Sequence, residues 1–341
     1  MLRYAFRRVL QLVLVLFVLS VLLFAWLRAL PGGPVSALLG DRGTAESRAQ
    51  LREELGLDEP IFVQYFSFLG RALTGNFGNS IGVAPGMPAL EVFLERFPAT
   101  IELSFMAIVL ALITAIPLGY LAARRRGGWL DNAGILSSLV GISVPIFFFA
   151  FLLKWIFAIE LGWLPTGGRQ TVGIDATRVT GFFVLDGILT QEWDAAWDAL
   201  VHLLLPSIAL ASIPFAVIFR ITRASVLDVL DEDYVRTARS KGLAKRVIRD
   251  RHILRNSLLP VVTTVGLQTG SLLSGAVLTE TVFAWHGIGE ALALGFERKD
   301  FPVLQVVIIA GAASYVLINL LVDLSYALID PRIRTAQKVG S

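Results

Sequence analysis

The chain has 341 residues, of which 55% are hydrophobic and only 17% are charged, and this balance excludes most soluble domains of its length. Cysteine is absent, which excludes disulfide and thiolate chemistry, and the three histidines show no metal-ligand spacing. The net charge of +3 comes from basic residues that cluster beside apolar runs, so it indicates membrane topology and not nucleic-acid binding.

The first apolar run extends from Val9 to about Leu30 and follows three arginines, at positions 3, 7 and 8. A length of about 20 residues is enough to cross a bilayer. A cleaved signal peptide is the alternative, but its apolar part would be shorter and would end at a small-x-small site. The run ends instead at LPGGP (30–34). We therefore predict an uncleaved first span with its N-terminus in the cytoplasm.

Residues 31–97 form the longest polar stretch, with turn signals at GNFG (75–78) and PGMP (85–88). We expect a small extracytoplasmic insertion of short helices and loops. Together with the first span it would make an N-terminal domain, 1–98.

Five further apolar runs predict five more transmembrane helices, at about 99–123, 133–159, 200–221, 261–283 and 302–328. The triple arginine at 124–126 follows the second span, and a strongly basic loop lies between the fourth and fifth. Basic loops remain in the cytoplasm. An arrangement with six spans and both termini inside puts both there, whereas a five-span arrangement would put one of them on the wrong side. The fold class is thus an all-α integral membrane protein, with a five-helix core at 99–335. Lys154, near the outer end of the third span, is expected to extend to the interface, with a substrate-path role as the alternative.

The basic loop, about 223–259, is the most informative segment. Ten Lys/Arg and five Asp/Glu lie between Arg220 and Arg255. Good helix formers from Tyr234 to Lys241 precede a stop at Gly242, and a second short helix is predicted from Lys245 to Leu259, limited by Pro260. Two short helices joined by a glycine turn suit docking to a cytoplasmic partner.

Polar side chains inside the spans are the candidates for a translocation path. The fifth span is rich in small and polar residues, and close helix packing explains these as well as a path does. The candidate path residues are Gln268, Ser271 and Ser274 in the fifth span and Asn319 in the sixth.

Sequence motifs for catalysis are missing from the chain. It contains no G-x-x-x-x-G-K-[ST] phosphate-binding loop, no G-x-S-x-G nucleophile elbow and no H-E-x-x-H pair. We therefore predict no catalytic residues and no metal site. Energy for uphill transport would have to come from a partner or from an ion gradient.

The basic loop, YVRTARSKGL (234–243) with RHILRN (251–256) and LLP (258–260), resembles the cytoplasmic "EAA" loop of ABC importer permeases, in its dipeptide/oligopeptide permease B form. Arg236 stands where the general signature begins with Glu, whereas Ala238 and Gly242 keep its spacing. Eight other segments extend the resemblance to nearly the whole chain: LPGGP (30–34), LGLDEPIFVQY (55–65), LTGNFGNS (73–80), ERFPATIELS (95–104), LGWLPTGG (161–168), HLLLPSIALA (202–211), ETVFAWHGIG (280–289) and ALIDPRIR (327–334).

This resemblance implies a type I ABC importer permease whose loop docks in a cleft of an ATP-binding subunit. The implied docking residues are Tyr234, Arg236, Thr237, Ala238, Arg239, Lys241, Gly242 and Leu243, with Arg251, His252, Arg255 and Asn256 in the second loop helix. The implied partners are a second homologous permease, ATP-binding subunits that hold ATP and Mg, an extracytoplasmic solute-binding protein and the lipid bilayer, and no nucleic acid.

Three alternatives remain open at this point. The same architecture also fits the import of nickel chelates, oligosaccharides or other small solutes instead of di- or oligopeptides. An ion-coupled secondary transporter is a different class, although the spans contain few ionisable groups. A membrane enzyme would need activity without a partner. In each case a multi-pass protein of the cell (inner or cytoplasmic) membrane is expected.

Overall fold

The computed structural model describes residues 2–29, 33–39, 43–54 and 56–329. Within these ranges the regular structure is entirely helical, apart from one isolated bridge between Asn79 and Pro88. The predicted all-α class is therefore confirmed. Part of the predicted turn LPGGP and most of the C-terminal segment ALIDPRIR lie outside the described residues.

The helices occur in the following order: α1 Leu2–Ala29, α2 Gly33–Leu39, α3 Ala45–Glu54, α4 Ile61–Leu73, α5 Ala89–Arg124, α6 Trp129–Ser143, α7 Ile146–Leu153, α8 Phe183–Leu189, α9 Trp193–Leu230, α10 Asp233–Ser240, α11 Lys245–Val247, α12 Arg255–Phe283, α13 Ile288–Glu297 and α14 Phe301–Ile329. Two π-helical segments, Lys154–Glu160 and Ile248–Leu254, follow α7 and α11. In the described part of the chain, four helices (α1, α5, α9 and α14) are long and apolar enough to span a membrane, and the number rises to six if each of two bent pairs is one span.

The third predicted span is not one straight helix. The segments Trp129–Ser143 and Ile146–Glu160 meet at 110°. Pro145 explains the break, because a residue before proline is driven out of the helical region and Val144 has an extended conformation, with φ −86° and ψ 125°. Lys154 donates its amine to the carbonyl oxygen of Val282 at 2.8 Å.

Pro260 does not limit a separate loop helix, as predicted, but lies inside α12. Pro206 and Pro214 are likewise inside α9. A proline removes one hydrogen bond to the carbonyl four residues earlier. Membrane helices tolerate this loss where neighbouring groups satisfy the freed carbonyl.

The chain forms two compact units. One contains residues 1–100 and 285–320, and the other contains 101–284 and 321–341. By contacts, residues 285–320 thus group with the N-terminal segment, whereas the sequence-based division placed them in the 99–335 core. That the 31–97 insertion is extracytoplasmic stays a prediction.

In the first unit, an irregular segment at residues 80–83 is held by one buried carboxylate. The Oδ2 atom of Asp300 accepts hydrogen bonds from the hydroxyl of Ser80 at 2.5 Å and from the backbone N–H groups of Ile81, Gly82 and Val83 at 3.2, 2.9 and 2.8 Å. Asp300 is fully buried. This carboxylate fixes the loop to the residue just before α14.

In the second unit, the loop 161–182 is anchored by a buried ion pair. Arg169 donates to Oε2 of Glu102 at 2.7 Å and to the carbonyl oxygen of Gly181 at 2.9 Å, and its guanidinium lies 3.6 Å from the ring centroid of Phe183. Burial lowers the pKa of Arg169, and Glu102 opposes this effect. Because both charges are paired and hydrogen-bonded, the loop has a defined seat on α5.

Candidate functional site: the basic loop

The residues at the two ends of helix α10 explain where it begins and where it ends. Asp233 occupies the first turn and Arg239 the last, which matches the charge preference of helix ends. The chain stops at Gly242, where φ is +72°, a value that glycine adopts without strain. The N–H of Gly242 bonds the carbonyl oxygen of Arg239 at 3.0 Å, and the N–H of Leu243 bonds that of Ala238 at 3.3 Å. This pair of bonds is a Schellman motif, so the predicted helix stop is confirmed with its geometry.

One face of α10 is seated on the protein by apolar contacts. Val235 is fully buried and Ala238 is 4% exposed. They belong to a cluster with Tyr120, Ala123, Val226, Ile248 and Ile253. Those partners come from α5, α9 and the π-helical segment, so one apolar cluster joins α10 to all three elements.

The opposite face of α10 and the turn after it are exposed and basic. The predicted docking residues Tyr234, Arg236, Thr237, Arg239, Lys241, Gly242 and Leu243 are all exposed. Ala238 is the exception, because it packs inward and presents little surface to a partner. Arg236 is 3.6 Å from Asp233, and a surface pair of this kind leaves most of its charge available.

The second set of predicted loop residues is not on a separate helix. Arg251 and His252 lie in the π-helical segment, and Arg255 and Asn256 begin α12, so all four continue directly into the fifth span. The structure nevertheless brings the two sets together. The amide of Asn256 donates to the hydroxyl of Tyr234 at 3.1 Å, and the rings of Tyr234 and His252 are 6.5 Å apart.

Comparison with known proteins matches residues 115–335 to the family described as "binding-protein-dependent transport system inner membrane component", and residues 1–104 to the N-terminal region of the same kind of protein. The chain belongs to this family. It is 43% identical over 98% of its length to a dipeptide transport system permease protein of Alkalihalophilus pseudofirmus, covering 100% of that protein. It is 43% identical to a di/tripeptide transport system permease protein of Pseudomonas aeruginosa and 42% identical to a dipeptide transport system permease protein of Escherichia coli K12, with 98% of this chain and 99% of each relative covered. The resemblance drawn from the loop motifs is confirmed.

An ion pair near the loop of this inner membrane component was not predicted from sequence. Asp131, at the start of α6, is 1% exposed and accepts from Arg223 of α9 through both carboxylate oxygens, with Nη2 to Oδ2 at 2.8 Å. The hydroxyl of Ser225 also donates to the carbonyl oxygen of Ser257 at 2.8 Å. These bonds tie α6 and α12 to the end of α9. The sequence signal that could have indicated this pair is the acidic residue Asp131, shortly after the triple arginine at 124–126.

The predicted path residues are placed on two different units. Gln268 and Asn319 are half-buried, Ser271 is exposed and bonds the carbonyl oxygen of Gln268 at 2.9 Å, and the side chain of Ser274 lies outside the described residues. A cavity of about 700 Å³ in the second unit is instead lined by α5, α6 and α9 residues, including Thr114, Ser137 and Ser212. None of Gln268, Ser271 and Asn319, the three whose side chains are described, lines it, so the path assignment stays a prediction.

Proposed function

We propose that this chain is a transmembrane permease subunit of an ATP-driven importer and forms half of a translocation path for di- or oligopeptides. The names of its relatives support the peptide class. The coupling role is proposed from one observation: the apolar face of α10 packs against the protein, and its basic face is exposed. Its proposed partners are a second homologous permease, ATP-binding subunits that hold ATP and Mg, and an extracytoplasmic solute-binding protein.

Coupling follows from how α10 is seated. A partner that pushes on the exposed face moves Val235 and Ala238, which belong to one apolar cluster with residues of α5, α9 and the π-helical segment that leads into the fifth span. Packed side chains transmit such a displacement because they have little free volume. The bonds from Arg223 to Asp131 and from Ser225 to Ser257 extend the same connection to α6 and α12. Nucleotide-driven closure of a partner is thereby converted into helix movement, with no chemistry in this chain.

The test removes or distorts α10 and leaves the spans intact. Deletion of residues 236–241, or Gly242→Pro, is expected to abolish peptide uptake while membrane insertion persists, because proline cannot adopt the φ of +72° at that position. The matched control is Gly173→Pro, at another exposed glycine with positive φ, in the loop 161–182. Uptake at the wild-type rate in the deletion variant would contradict the proposal.

Two further measurements test the partners and the topology. Mass spectrometry of the co-purified complex identifies an ATP-binding subunit and the solute on the binding protein, and purification without any such subunit would favour an ion-coupled transporter. The chain has no cysteine, so Thr237→Cys gives one labelling site. We expect that site, and a cysteine introduced at either terminus in a separate variant, to react only with reagents that reach the cytoplasm.

A further inference from the structure

The first unit contains a cavity of about 350 Å³ at the C-terminal end of α1. Its apolar wall comes from α1, α2, α3 and the loop segments that follow α3 and α4, and includes Leu27, Leu38, Leu39, Leu51, Leu57 and Phe77. That volume is at the lower end of the range for small-molecule sites, about 300–1,000 Å³. The cavity is therefore large enough for a headgroup and part of an aliphatic chain.

Two arginines line this cavity. The guanidinium of Arg28 lies 3.7 Å from the ring centroid of Phe24 and donates to the amide oxygen of Gln64. Arg71 donates to the hydroxyl of Ser67 at 3.0 Å and is close enough for its charge to act on Arg28. Among the described residues that line the cavity there is no Asp or Glu. Two neighbouring cations in a largely apolar site favour an anionic ligand.

A third donor points to the same conclusion. Gln305 of α14 lines the cavity, is 4% exposed, and has an amide nitrogen without a hydrogen-bond partner in the described part of the chain. A buried amide N–H without an acceptor is unfavourable. This nitrogen has almost no accessible surface, so an oxygen-rich anion in the cavity would satisfy it once the side chain rotates toward the cavity.

The surroundings of the cavity indicate that this anion belongs to a lipid. Arg28 is in the last turn of α1, the first apolar span, which places it at an interface of the bilayer. Helix α4 packs across this end of the span, with the hydroxyl of Tyr65 2.8 Å from that of Ser20. The same helix leaves Ile61, Phe62 and Phe66 more than 60% exposed. Such an apolar surface is typical of a helix that lies against acyl chains.

We propose that this cavity binds an anionic phospholipid, with the phosphate on Arg28, Arg71 and the amide of Gln305 and an acyl chain along the leucine wall. Basic pockets beside membrane helices recognise lipid headgroups by the same charge-assisted hydrogen bonds. The proposal does not depend on the transported solute or on the partners. It assigns the N-terminal insertion a role in holding lipid at the end of α1.

The test uses the full-length chain in detergent and native mass spectrometry with added phosphatidylglycerol, phosphatidylcholine or inorganic phosphate. We expect wild type to retain phosphatidylglycerol at least about tenfold better than phosphatidylcholine, the ratio that one charge-assisted contact supplies. The double variant Arg28→Gln/Arg71→Gln should lose that preference, and Arg28→Lys/Arg71→Lys should keep most of it. Arg52→Gln, at an exposed arginine outside the cavity, is the control for net charge.

Three results would overturn the proposal. Equal retention of both lipids by wild type would show that the arginines do not select charge. Undiminished preference in the Gln double variant would show that the lipid binds elsewhere. Gln305→Leu removes only the amide and keeps both charges, and undiminished retention of phosphatidylglycerol in that variant as well would support the same conclusion. Displacement of the lipid by millimolar inorganic phosphate or by a dipeptide would identify a free-anion or solute site. Thermal unfolding of each variant in phosphatidylcholine alone distinguishes lost binding from lost folding.

Discussion

Helix α10 and the loop at residues 80–83 are both short segments joined to long helices, but different interactions hold them in place. Helix α10 is held by buried apolar side chains, and its charged groups are exposed. The loop is held by a buried carboxylate, and its polar groups point inward at Asp300. Exposed polar groups can exchange their hydrogen bonds to water for hydrogen bonds to a partner. Polar groups that are already hydrogen-bonded inside the protein are not available to a partner. The contrast separates an interaction surface from a scaffold.

Asp300→Ala should have the largest effect on stability. It leaves the Ser80 hydroxyl and the N–H groups of Ile81, Gly82 and Val83 without their acceptor in a buried site. Unfolding should become easier by about 3–5 kcal/mol, because orphaned donors cost more than the bonds were worth. The midpoint of thermal or denaturant unfolding of the reconstituted chain measures the change.

The control is Asp58→Ala, because Asp58 is exposed and pairs with Arg52 at the surface. That change should stay within about 0.5 kcal/mol of wild type. If both variants unfolded at the same midpoint, the loop would not depend on its carboxylate, and the contrast with α10 would disappear.

Val235→Ala should have the next largest effect and should act locally on α10. It removes two buried methyl groups from the cluster under the helix, which is expected to weaken its seat by about 1–3 kcal/mol. Limited proteolysis with trypsin measures the change, because Lys241 lies in the exposed turn after α10 and Arg246 in the exposed helix α11. We expect faster cleavage there in Val235→Ala and no change in Thr237→Ala, whose side chain is exposed. Equal cleavage rates would mean that the cluster does not hold the helix.

The difference between local patterns and contacts of distant residues explains which features the sequence predicted. Apolar runs, the triple arginine and the Gly242 stop are local patterns with a direct physical meaning, and they led to the spans and to α10. Pro145 was also a local signal, and it was overlooked. Pro260 was overinterpreted, because a proline ends a helix in water more reliably than in a membrane protein.

Contacts between distant residues could not be predicted in this way. Asp300 and Ser80 are 220 positions apart, and Asp131 and Arg223 are 92 apart. No periodicity connects such pairs, since their proximity depends on how whole helices pack. The cavity lined by Arg28, Arg71 and Gln305 was missed for the same reason.

Gly242→Ala should have a smaller effect on stability and a larger one on uptake. A Cβ atom at this position meets nothing within 4 Å, so the expected cost is the strain of the left-handed backbone alone, about 1 kcal/mol. Gly173→Ala is the matched control, with φ +90° and equally open space. Both variants should lose similar stability in thermal unfolding, but only Gly242→Ala should lower peptide uptake. Equal uptake in the two would argue against a special role for the turn.

Arg236→Ala and Arg239→Ala should have the smallest effect on folding, within about 0.5 kcal/mol, because both side chains are exposed. Their effect should appear in partner binding. Removing interface charges mainly slows association and reduces its salt dependence, so we expect weaker capture of ATP-binding subunits in low salt and a smaller difference from wild type in high salt. Arg125→Ala, an exposed arginine outside the loop, tests whether net charge alone explains the result. A loss of stability above 1 kcal/mol in either loop variant would mean that the exposed face of α10 also stabilises the fold. The distinction between interaction surface and scaffold would then not hold for α10.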